Sequence, residues 1–528
     1  MKINLHENPR PFVVEDLALF EARKVDPCKQ HAIAKWILAQ KWFKPVAKAH
    51  RIDSIINNPA CSDLAISEMC WMALQIDFDR IRENGKDPDW LEFLPLEAVR
   101  RLEHLWIVGD GPDQYKIVPS MAHVGIGYVV RFGGLVEEID EVFGLHRLNG
   151  VAQLGLLHDP TILENGWRQY PMPFPQTRYV HSLDVHAIAT LIGKMLDLSE
   201  EKLRTLRVAG QSHDALTPAG GDTTKGIDRK GFDEDVHYPD LFLREGWKEL
   251  RSRYGLSEAE LVQTILGKGL LGSILDVSDK LAYVGRDLDK FLGHNPTGQA
   301  AWENFGATYY RIVAILNQNP YPCSVWDCVE LINGEMVFTN AERLADFLLM
   351  RSLMFKILYN NASARFYEAG FGEEVASVLY GQGVLTKKSL LAMTDIELSR
   401  VIGRELGIKE YYHGVNLTGT ENPRVLEFET KRQALAFQRQ LVLEEPRAMM
   451  HYELVRSPST SCLQNFKVLH NGNVMAFKQA CPQQAYDVVS IACDSKPHKV
   501  FVYDLSMLCG NVKLTRRLLQ RRDARIAK

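Results

Sequence analysis

Three helix-like segments of this chain carry side chains that bind divalent metals, so a fold that uses them must bring three helices to one point. His181 lies near the start of one apolar helical pattern. The adjacent pair His213 and Asp214 ends a second pattern, and Asp279 lies within a third. Imidazole and carboxylate ligands together suit Mn, Fe, Ni or Zn, and with more water also Mg. The four residues therefore predict a site for one divalent metal ion, whose identity stays open.

The third segment adds a row of polar residues to this pattern. Asp279, Tyr283 and Asp287 are spaced four residues apart, so they share one face of a helix. Such a row among apolar neighbours is costly to bury without partners. The alternative interpretation is a solvent-facing stripe with Asp276 as the helix N-cap.

The His-Asp dipeptide also arises by chance in a chain with 16 histidines. A second pair, His158-Asp159, precedes His181 and is followed by Pro160. We interpret this second pair as unrelated to the metal site.

Composition excludes few functions but favours a cytoplasmic protein. The net charge of -4 over 528 residues gives no overall attraction to nucleic acid or membrane. The first residues lack the apolar core of a secretory signal, and the apolar stretch 124–136 is too short to span a bilayer. Nine cysteines without a CxxC pair indicate reduced thiols.

The pattern of apolar residues predicts a mainly α protein with a smaller C-terminal α/β unit. We predict four units: an N-terminal helical region at 1–140, a helical core at 141–365, a helical extension at 366–419, and an α/β unit with a basic helical tail at 420–528. Residues 215–240 are rich in Gly, Asp and Thr, which predicts a long loop that interrupts the core.

Two terminal segments carry further expectations. In the N-terminal region, 96–108 has apolar residues at helical spacing, and Gly109-Asp110-Gly111-Pro112 predicts a short hairpin. The tail KLTRRLLQRRDARIAK predicts a basic helix, either a solvated terminal helix or a contact for nucleic acid or an acidic protein.

The flanking sequences resemble a known family. RYVHSLDV, VAGQSHDA and DVSDKLAYVGRDLD resemble the ligand motifs of the HD-domain deoxynucleoside triphosphate triphosphohydrolases, and RLNGVAQLG resembles their R-L-x-x-x-x-Q-L-G segment. This family includes the bacterial dGTPases and the enzymes that join a SAM domain to an HD domain. The resemblance covers residues 140–365 and continues more weakly into the helices that follow.

The resemblance implies a role for each residue of the candidate site. The metal ligands would be His181, His213, Asp214 and Asp279. The phosphate contacts would come from Arg178 and Lys280. The sugar contacts would come from Gln153, Leu154, Tyr283 and Asp287, with Gln153 and Asp287 bonding the 3′-hydroxyl and Leu154 crowding the ribose 2′ position.

One departure from the family concerns acid–base chemistry. The family places two histidines in the loop after the His-Asp pair, whereas this chain has Thr217 and Asp222 at those positions. Asp222, or His237 from further along the loop, would have to take over the proton transfer. The alternative is a site that binds nucleotides and metal but hydrolyses them slowly.

These observations predict a metal-dependent phosphohydrolase that converts deoxynucleoside triphosphates to deoxynucleoside and tripolyphosphate. Two alternatives stay open: a phosphodiesterase or nucleotidase of the same superfamily, and a catalytically impaired nucleotide-sensing scaffold. The family resemblance also suggests a homo-oligomer, with the helices at 340–415 as the expected interface.

Overall fold

The computed structural model of this chain describes most of the sequence from residue 134 onward and several shorter pieces before it. The described residues are 35–49, 70, 73–74, 106–108, 115–118, 128–129, 134–156, 176–294, 299–318, 322–323, 325–361, 365, 368, 373–407, 424–455, 462–492, 496–504 and 512–527.

Helices dominate the described residues, as the sequence predicts. In chain order they are α1 (Lys44–Ala49), α2 (Leu135–Phe143), α3 (Arg178–Met195), α4 (Glu200–Ser212), α5 (Gly221–Lys225), α6 (Glu234–His237), α7 (Trp247–Tyr254), α8 (Glu258–Ile265), α9 (Gly269–His294), α10 (Gln299–Gln318), α11 (Ala341–Met354), α12 (Glu374–Gly381), α13 (Lys387–Ala392), α14 (Asp395–Leu406), α15 (Lys431–Glu444), α16 (Cys462–Asn465), α17 (Phe477–Ala480), α18 (Pro482–Ala492) and α19 (Val512–Ile526). Short 3-10 helices occur at Leu145–Gly150 and Tyr238–Leu243, and a π-helical turn at Phe355–Tyr359 follows α11.

Within the described part of the chain, the strands form three small sheets. In chain order they are β1 (Trp106–Val108), β2 (Tyr115–Val118), β3 (Tyr128–Val129), β4 (Val329–Ile332), β5 (Glu335–Phe338), β6 (Arg424–Phe428), β7 (Ala448–Leu454), β8 (Lys467–His470), β9 (Asn473–Ala476) and β10 (His498–Asp504). The sheet orders are β1-β2-β3, β6-β10-β7 and β4-β5-β8-β9. All neighbours pair antiparallel except β5 and β8, which are parallel.

Helix α3 lies at the centre of the helical core, between α4 and α9. Its N-cap Thr177 accepts a hydrogen bond from the backbone N–H of Val180, which fixes where the helix begins. The helix is buried along almost its whole length, on all sides rather than on one stripe. The predicted buried helix that begins just before His181 is therefore confirmed.

A glycine permits a close contact between α3 and α4 in this core. A Cβ atom at Gly210 of α4 would lie 2.8 Å from the Cα of His186 in α3, which is nearer than such atoms approach. The backbones of α3 and α4 therefore touch at this point. Three residues later, α4 ends at His213, so the close approach sets how near His213 comes to α3.

Buried polar contacts tie α2 to both helices. The Tyr179 hydroxyl of α3 donates to Asp140 of α2, and the Gln211 amide of α4 donates to the other Asp140 oxygen at 2.7 Å. Gln211 also donates to the carbonyl of Val136 at 2.8 Å. Because these groups are buried and bonded, they hold the three helices in one register.

The C-terminal α/β unit is confirmed, and part of it extends a sheet of the helical core. Strands β6, β7 and β10 form one sheet against α15, whereas β8 pairs with β5 of the core. The helical interpretation of the core was wrong at β4 and β5. Asn333 and Gly334, which join these strands, both have positive φ, as a two-residue hairpin turn requires. The predicted unit boundaries stay predictions.

The structure tests two further predictions, the hairpin near 109–112 and the loop at 215–240. The predicted hairpin near 109–112 is confirmed by the pairing of β1 with β2, and the helical interpretation of 106–108 was therefore wrong. Residues 96–105 lie outside the described part. The predicted loop at 215–240 instead contains the short helices α5 and α6. In α6 a side-chain cap gives a backbone N–H group its hydrogen-bond partner: the Asp233 side chain accepts from the N–H of Val236 at the start of the helix.

The basic tail is helical, as predicted, and packs on the body of the protein. Leu514 and Leu518 of α19 are buried, and Arg522 donates to the carbonyl of Pro446 at 2.9 Å. Arg525 pairs with the buried Glu374. A contact with nucleic acid or another protein stays a prediction, as does assembly through the 340–415 helices.

Within the described residues, no single helix has the length and apolarity of a membrane span, although the bent pair α8 and α9 passes that test jointly.

A buried ion pair yields a stability prediction. Arg286 of α9 donates to both carboxylate oxygens of Asp184 in α3, at 2.9 and 2.6 Å, and both side chains are buried. We expect Arg286→Met to lower the free energy of unfolding by about 3–5 kcal/mol, because it leaves a buried carboxylate without its counter-charge. Urea unfolding followed by tryptophan fluorescence measures this change. Arg251→Met, at an exposed pair with Glu258, serves as the control and should cost less than about 1 kcal/mol.

Candidate functional site

Three predicted metal ligands meet at one point between α3, α4 and α9. His181 lies in the first turn of α3, His213 caps the C-terminal end of α4, and Asp279 projects from α9. The His181 Nε2 atom lies 3.0 Å from Asp279 Oδ1 and 3.2 Å from His213 Nε2, and the third distance, His213 Nε2 to Asp279 Oδ1, is 3.8 Å. The structure thus brings together side chains that are separated by up to about a hundred residues in sequence.

The chemistry of these atoms fits a divalent cation. His213 Nδ1 lies 2.8 Å from the carbonyl oxygen of Gly210, which can only accept, so Nδ1 carries the proton. In the neutral ring, Nε2 then presents a lone pair to His181 and Asp279. His181 Nε2 donates to Asp279 at 3.0 Å, and a divalent cation can take the place of that proton. One divalent cation can bind all three atoms, and the hydrogen bond that His213 Nδ1 donates to the Gly210 carbonyl is the kind of support that metal-binding histidines receive.

The fourth predicted ligand also faces this cluster but has a second partner. Asp214 Oδ2 lies 3.6 Å from His213 Nε2 and 3.8 Å from His181 Nε2. The same oxygen accepts a hydrogen bond of 2.9 Å from Arg178. The four predicted residues therefore converge, while the role of Asp214 as a ligand stays a prediction.

Both carboxylates at the cluster are ionised at neutral pH. Burial tends to raise the pKa of Asp279, but the hydrogen bond from His181 and the neighbouring positive groups lower it to about 2. Burial acts on Asp214 in the same direction, and Arg178 and the two histidines outweigh it, so its pKa is well below the usual range.

Arg178, the predicted phosphate contact, lies beside the cluster in a fork between two carboxylates. It is buried, and it donates to Asp214 at 2.9 Å and to Asp222 at 3.0 Å. Although burial opposes its charge, the two carboxylates raise its pKa further, so the guanidinium stays positive. The Asp214 side chain is buried, whereas the Asp222 side chain is 60% exposed. Arg178 is therefore anchored on one side and open to exchange on the other.

A chain of ion pairs leads away from Arg178 through the 215–240 segment. Lys225 lies 3.3 Å from Asp222 and donates to Glu234 at 2.7 Å, and the Thr217 hydroxyl donates to the other Glu234 oxygen. Burial raises the pKa of Glu234, with the nearby negative charge of Asp214 adding to it and Lys225 and Arg178 opposing. The pKa of Asp222 is lowered, since Lys225 and Arg178 outweigh the partial loss of water around its carboxylate.

Sequence reasoning missed Glu234, because its position in an acidic, glycine-rich stretch gives no pattern that separates it from its neighbours. Only the folding of α5 and α6 brings it to Lys225. Asp222, Lys225 and Glu234 also line one side of a cleft of about 360 Å³. The remaining lining residues are Gly226, Arg229, Phe232, Asp233 and Asp235.

The predicted sugar contacts include two buried polar groups. Gln153 Oε1 and Asp287 Oδ1 are buried and have no hydrogen-bond partner among the described residues. The other Asp287 oxygen accepts a bond of 2.7 Å from the Tyr359 hydroxyl. The Tyr283 hydroxyl accepts from Arg351 at 2.6 Å, and Leu154 packs against the main core. Unpartnered buried oxygens are costly, so they mark places where a ligand hydroxyl would be favourable.

Two predicted site residues have their polar atoms engaged elsewhere. Lys280 pairs with Asp276 on the same helix, and Asp276 lies inside α9 rather than at its N-cap, so that alternative interpretation was wrong. The His237 ring nitrogens face the Lys230 carbonyl at 3.2 Å and Asp240 at 3.4 Å. Participation of Lys280 and His237 stays a prediction that requires these contacts to break. The pair His158-Asp159 lies outside the described residues.

Comparison with known proteins shows similarity at the level of fold. No protein-family model and no curated protein matches the chain. A phosphohydrolase from Bacteroides thetaiotaomicron VPI-5482 is 12% identical, and the match covers 74% of this chain and 99% of that one with a TM-score of 0.51. A hypothetical protein from Aquifex aeolicus is 17% identical over 78% of this chain and 100% of its own, with a TM-score of 0.47. At 12% identity, the first likeness shows a shared fold and nothing more.

The cluster geometry predicts a metal-binding phenotype with a matched control. We expect Asp279→Asn to weaken Mn²⁺ binding by about a hundredfold or more, since it removes an anionic oxygen from the cluster. Asp276→Asn removes the same charge one turn earlier on α9 and should leave the affinity unchanged. Isothermal titration calorimetry with MnCl₂ measures both. Equal affinities of the two variants would exclude Asp279 as a ligand.

Asp287 predicts a pH dependence of stability. Burial raises its pKa from 3.8 to about 7, with the Tyr359 hydroxyl, Arg178 and Arg286 opposing. Between about pH 4 and 7 the folded state therefore binds more protons than the unfolded state, so this group makes the protein less stable as pH rises. Relative to Asp287→Asn, the wild type should lose up to about 1.4 kcal/mol per pH unit across that window and then level off.

Urea unfolding of both proteins at pH 5, 6, 7 and 8 measures this difference. A difference in unfolding free energy that stays constant, or that rises from pH 5 to 7, would contradict the assignment.

Proposed function

We propose that this protein is a metal-dependent phosphohydrolase of the HD superfamily that acts on nucleotides. The observation that carries the proposal is the convergence of His181, His213 and Asp279 beside the buried, charged Arg178. Metal ligands beside a cation that can bind phosphate supply two of the contributions that speed phosphoester hydrolysis. The sequence motifs around these residues and the fold shared with a phosphohydrolase from Bacteroides thetaiotaomicron support the same reaction class.

Each site residue then has a task that its geometry allows. When bound, a divalent metal would lower the pKa of a water molecule and neutralise charge on a phosphate oxygen. His181, His213 and Asp279 would hold it, with Asp214 as the fourth ligand. Arg178 would bind the substrate phosphate, because Asp214 keeps one of its nitrogens in place while the exposed Asp222 can yield the other.

Proton transfer falls to the acidic residues of the 215–240 segment. Glu234 has a raised pKa and lines the cleft, so it is the better candidate for a group that carries a proton to the leaving oxygen. Asp222, whose pKa is lowered, is the better candidate for a base or for an orienting group. This division replaces the two histidines of the family loop without requiring His237 to move.

The preferred substrate within this proposal is a deoxynucleoside triphosphate. The unpartnered oxygens of Gln153 and Asp287 are suited to accept from, or share a proton with, a sugar hydroxyl. Leu154 provides apolar surface next to Gln153, as the exclusion of a 2′-hydroxyl requires. Cleavage at the α-phosphorus would release deoxynucleoside and tripolyphosphate.

A specific observation favours a second candidate, a nucleotidase or phosphodiesterase. Arg178, Lys225 and Lys280 are each paired with at least one carboxylate. A triphosphate would have to break several of these pairs, whereas a monophosphate or diester needs only the open side of Arg178. The two candidates differ in their products.

The deciding experiment is a product analysis with several nucleotides and metals. Purified protein is incubated with each dNTP, NTP, dNMP and cyclic nucleotide in the presence of Mn²⁺, Mg²⁺, Co²⁺ or Fe²⁺. Tripolyphosphate indicates the first candidate; orthophosphate or opening of a cyclic ester indicates the second. Nucleotide binding without turnover under any condition would show the scaffold alternative and refute an enzyme.

Variants assign the roles within the active protein. Arg178→Ala should lower kcat/KM by about a hundredfold or more, since it removes the phosphate contact. Arg253→Ala removes an exposed arginine that pairs with Glu138 of α2, and it should have no effect. Glu234→Gln should lower kcat more than Asp222→Asn does if Glu234 carries the proton. The reverse order would exchange the two roles.

A further inference from the structure

A buried aspartate from the helical extension contacts two loops of the candidate site at once. Asp395 is the first residue of α14 and is 3% exposed. Its Oδ2 atom accepts a hydrogen bond of 2.8 Å from the backbone N–H of Ala152, and its Oδ1 atom accepts one of 2.6 Å from the backbone N–H of Gly220. Sequence reasoning gave this residue no role.

Each of these backbone groups lies next to residues of the site. Ala152 precedes Gln153 and pairs with Thr177, the N-cap of the helix that begins with Arg178. The backbone N–H of Gln153 also donates to Gln176 at 2.8 Å, so this strand-like segment is anchored to the start of α3. Asp395 is therefore connected to Gln153 and to the start of α3 through the backbone of Ala152.

Asp395 is connected to the Asp222 loop in the same way, through the backbone of Gly220. Gly220 lies two residues before Asp222, the open partner of Arg178. Its φ of 79° is a backbone conformation that glycine adopts most readily, and α5 begins at the next residue. The bond to Asp395 thus holds the turn that aims Asp222 toward Arg178.

The turn that carries Asp395 is itself bound to the site loops. The Ala219 N–H donates to the Leu390 carbonyl at 2.9 Å. Arg147 bridges the two sides, because its guanidinium donates to the Met393 carbonyl at 3.2 Å and to the Thr217 carbonyl at 2.6 Å.

Charge is needed for this arrangement. A carboxylate offers two acceptor oxygens and matches two N–H donors, whereas an amide side chain offers one acceptor and one donor. Burial raises the pKa of Asp395 to about 6, with the two backbone bonds and the charges of Arg147 and Arg178 opposing, so the group is ionised at neutral pH.

We propose that Asp395 is a positioning residue for the candidate active site, which clamps the Gln153 loop and the Asp222 loop together from the helical extension. This proposal rests on the proposed function for its kinetic consequence, but the clamp itself can be tested without turnover. Asp395 acts through Gln153 and Asp222 rather than on the substrate.

The test compares Asp395→Asn with Glu397→Gln. Glu397 lies in the same first turn of α14, is exposed there, and caps Thr394 at 2.7 Å, which glutamine can also do. Both variants remove one negative charge from the same helix end. Only Asp395→Asn removes a hydrogen-bond acceptor of the two loops. A difference between the two variants therefore cannot come from the loss of charge at the start of α14.

Amide hydrogen exchange measures the clamp directly. In Asp395→Asn, peptides that cover 148–156 and 217–226 should exchange about tenfold faster than in the wild type, since one charge-assisted bond is lost and a donor faces a donor. Peptides of α9 should not change, and Glu397→Gln should match the wild type throughout. Unchanged exchange in either loop would overturn the proposal, whether or not the protein hydrolyses nucleotides.

Kinetics with the nucleotide that the wild type hydrolyses fastest separate positioning from folding. Misaligned loops should raise KM about tenfold, whereas partial unfolding lowers kcat in proportion to the active fraction and leaves KM unchanged. A wild-type KM in Asp395→Asn would overturn the positioning role. If the wild type hydrolyses nothing, the proposed function fails, and the exchange result alone decides the clamp.

A second variant perturbs the clamp without changing charge. A Cβ atom at Gly150 would lie 2.5 Å from Thr394 Cγ2, so Gly150→Ala should push the turn before Asp395 away from the first loop. We expect the same faster exchange at 148–156 as in Asp395→Asn. Slow exchange there, in a variant that folds normally, would count against the clamp.

Discussion

Convergence of two imidazole rings and a carboxylate between three helices is the constraint on which the rest of the site depends. The three side chains come from three different helices, so packing between those helices must hold them together. Backbone contact at Gly210 brings α4 against α3, and the buried bonds of Asp140 keep α2 in register with both. The rigidity of this core is what gives a metal site its defined geometry.

Charge around the cluster is balanced locally. The buried Arg178 compensates Asp214 on one side and the more exposed Asp222 on the other, and Lys225 extends the chain to Glu234. Buried ions need partners, so ion pairs close the site. Under the proposed function, a substrate phosphate would compete with the carboxylates for Arg178, and this competition would set the affinity for substrate.

Several elements could be read from local patterns because short-range physics determines them. Helical periodicity located α3, α4 and α9, and the spacing of Asp279, Tyr283 and Asp287 on one helix face holds in the structure. Asn333-Gly334 is an equally local signal of a hairpin, and it contradicts the helical interpretation of the residues around it. The helical interpretation of 106–108 failed for another reason: strand pairing overrode a helix-like spacing.

The sequence by itself determined the metal-binding residue types, the helices that carry them and the mainly α architecture, because each follows from spacing and side-chain chemistry within one segment. Only the tertiary structure decided which acidic residues join the site. Glu234 and Asp395 lie in stretches where no local pattern distinguishes them. Glu234 meets Lys225 only because α5 and α6 fold against each other, and Asp395 bonds to Ala152 and Gly220, which lie far away in sequence. Such contacts depend on the packing of whole helices, which a local pattern does not specify.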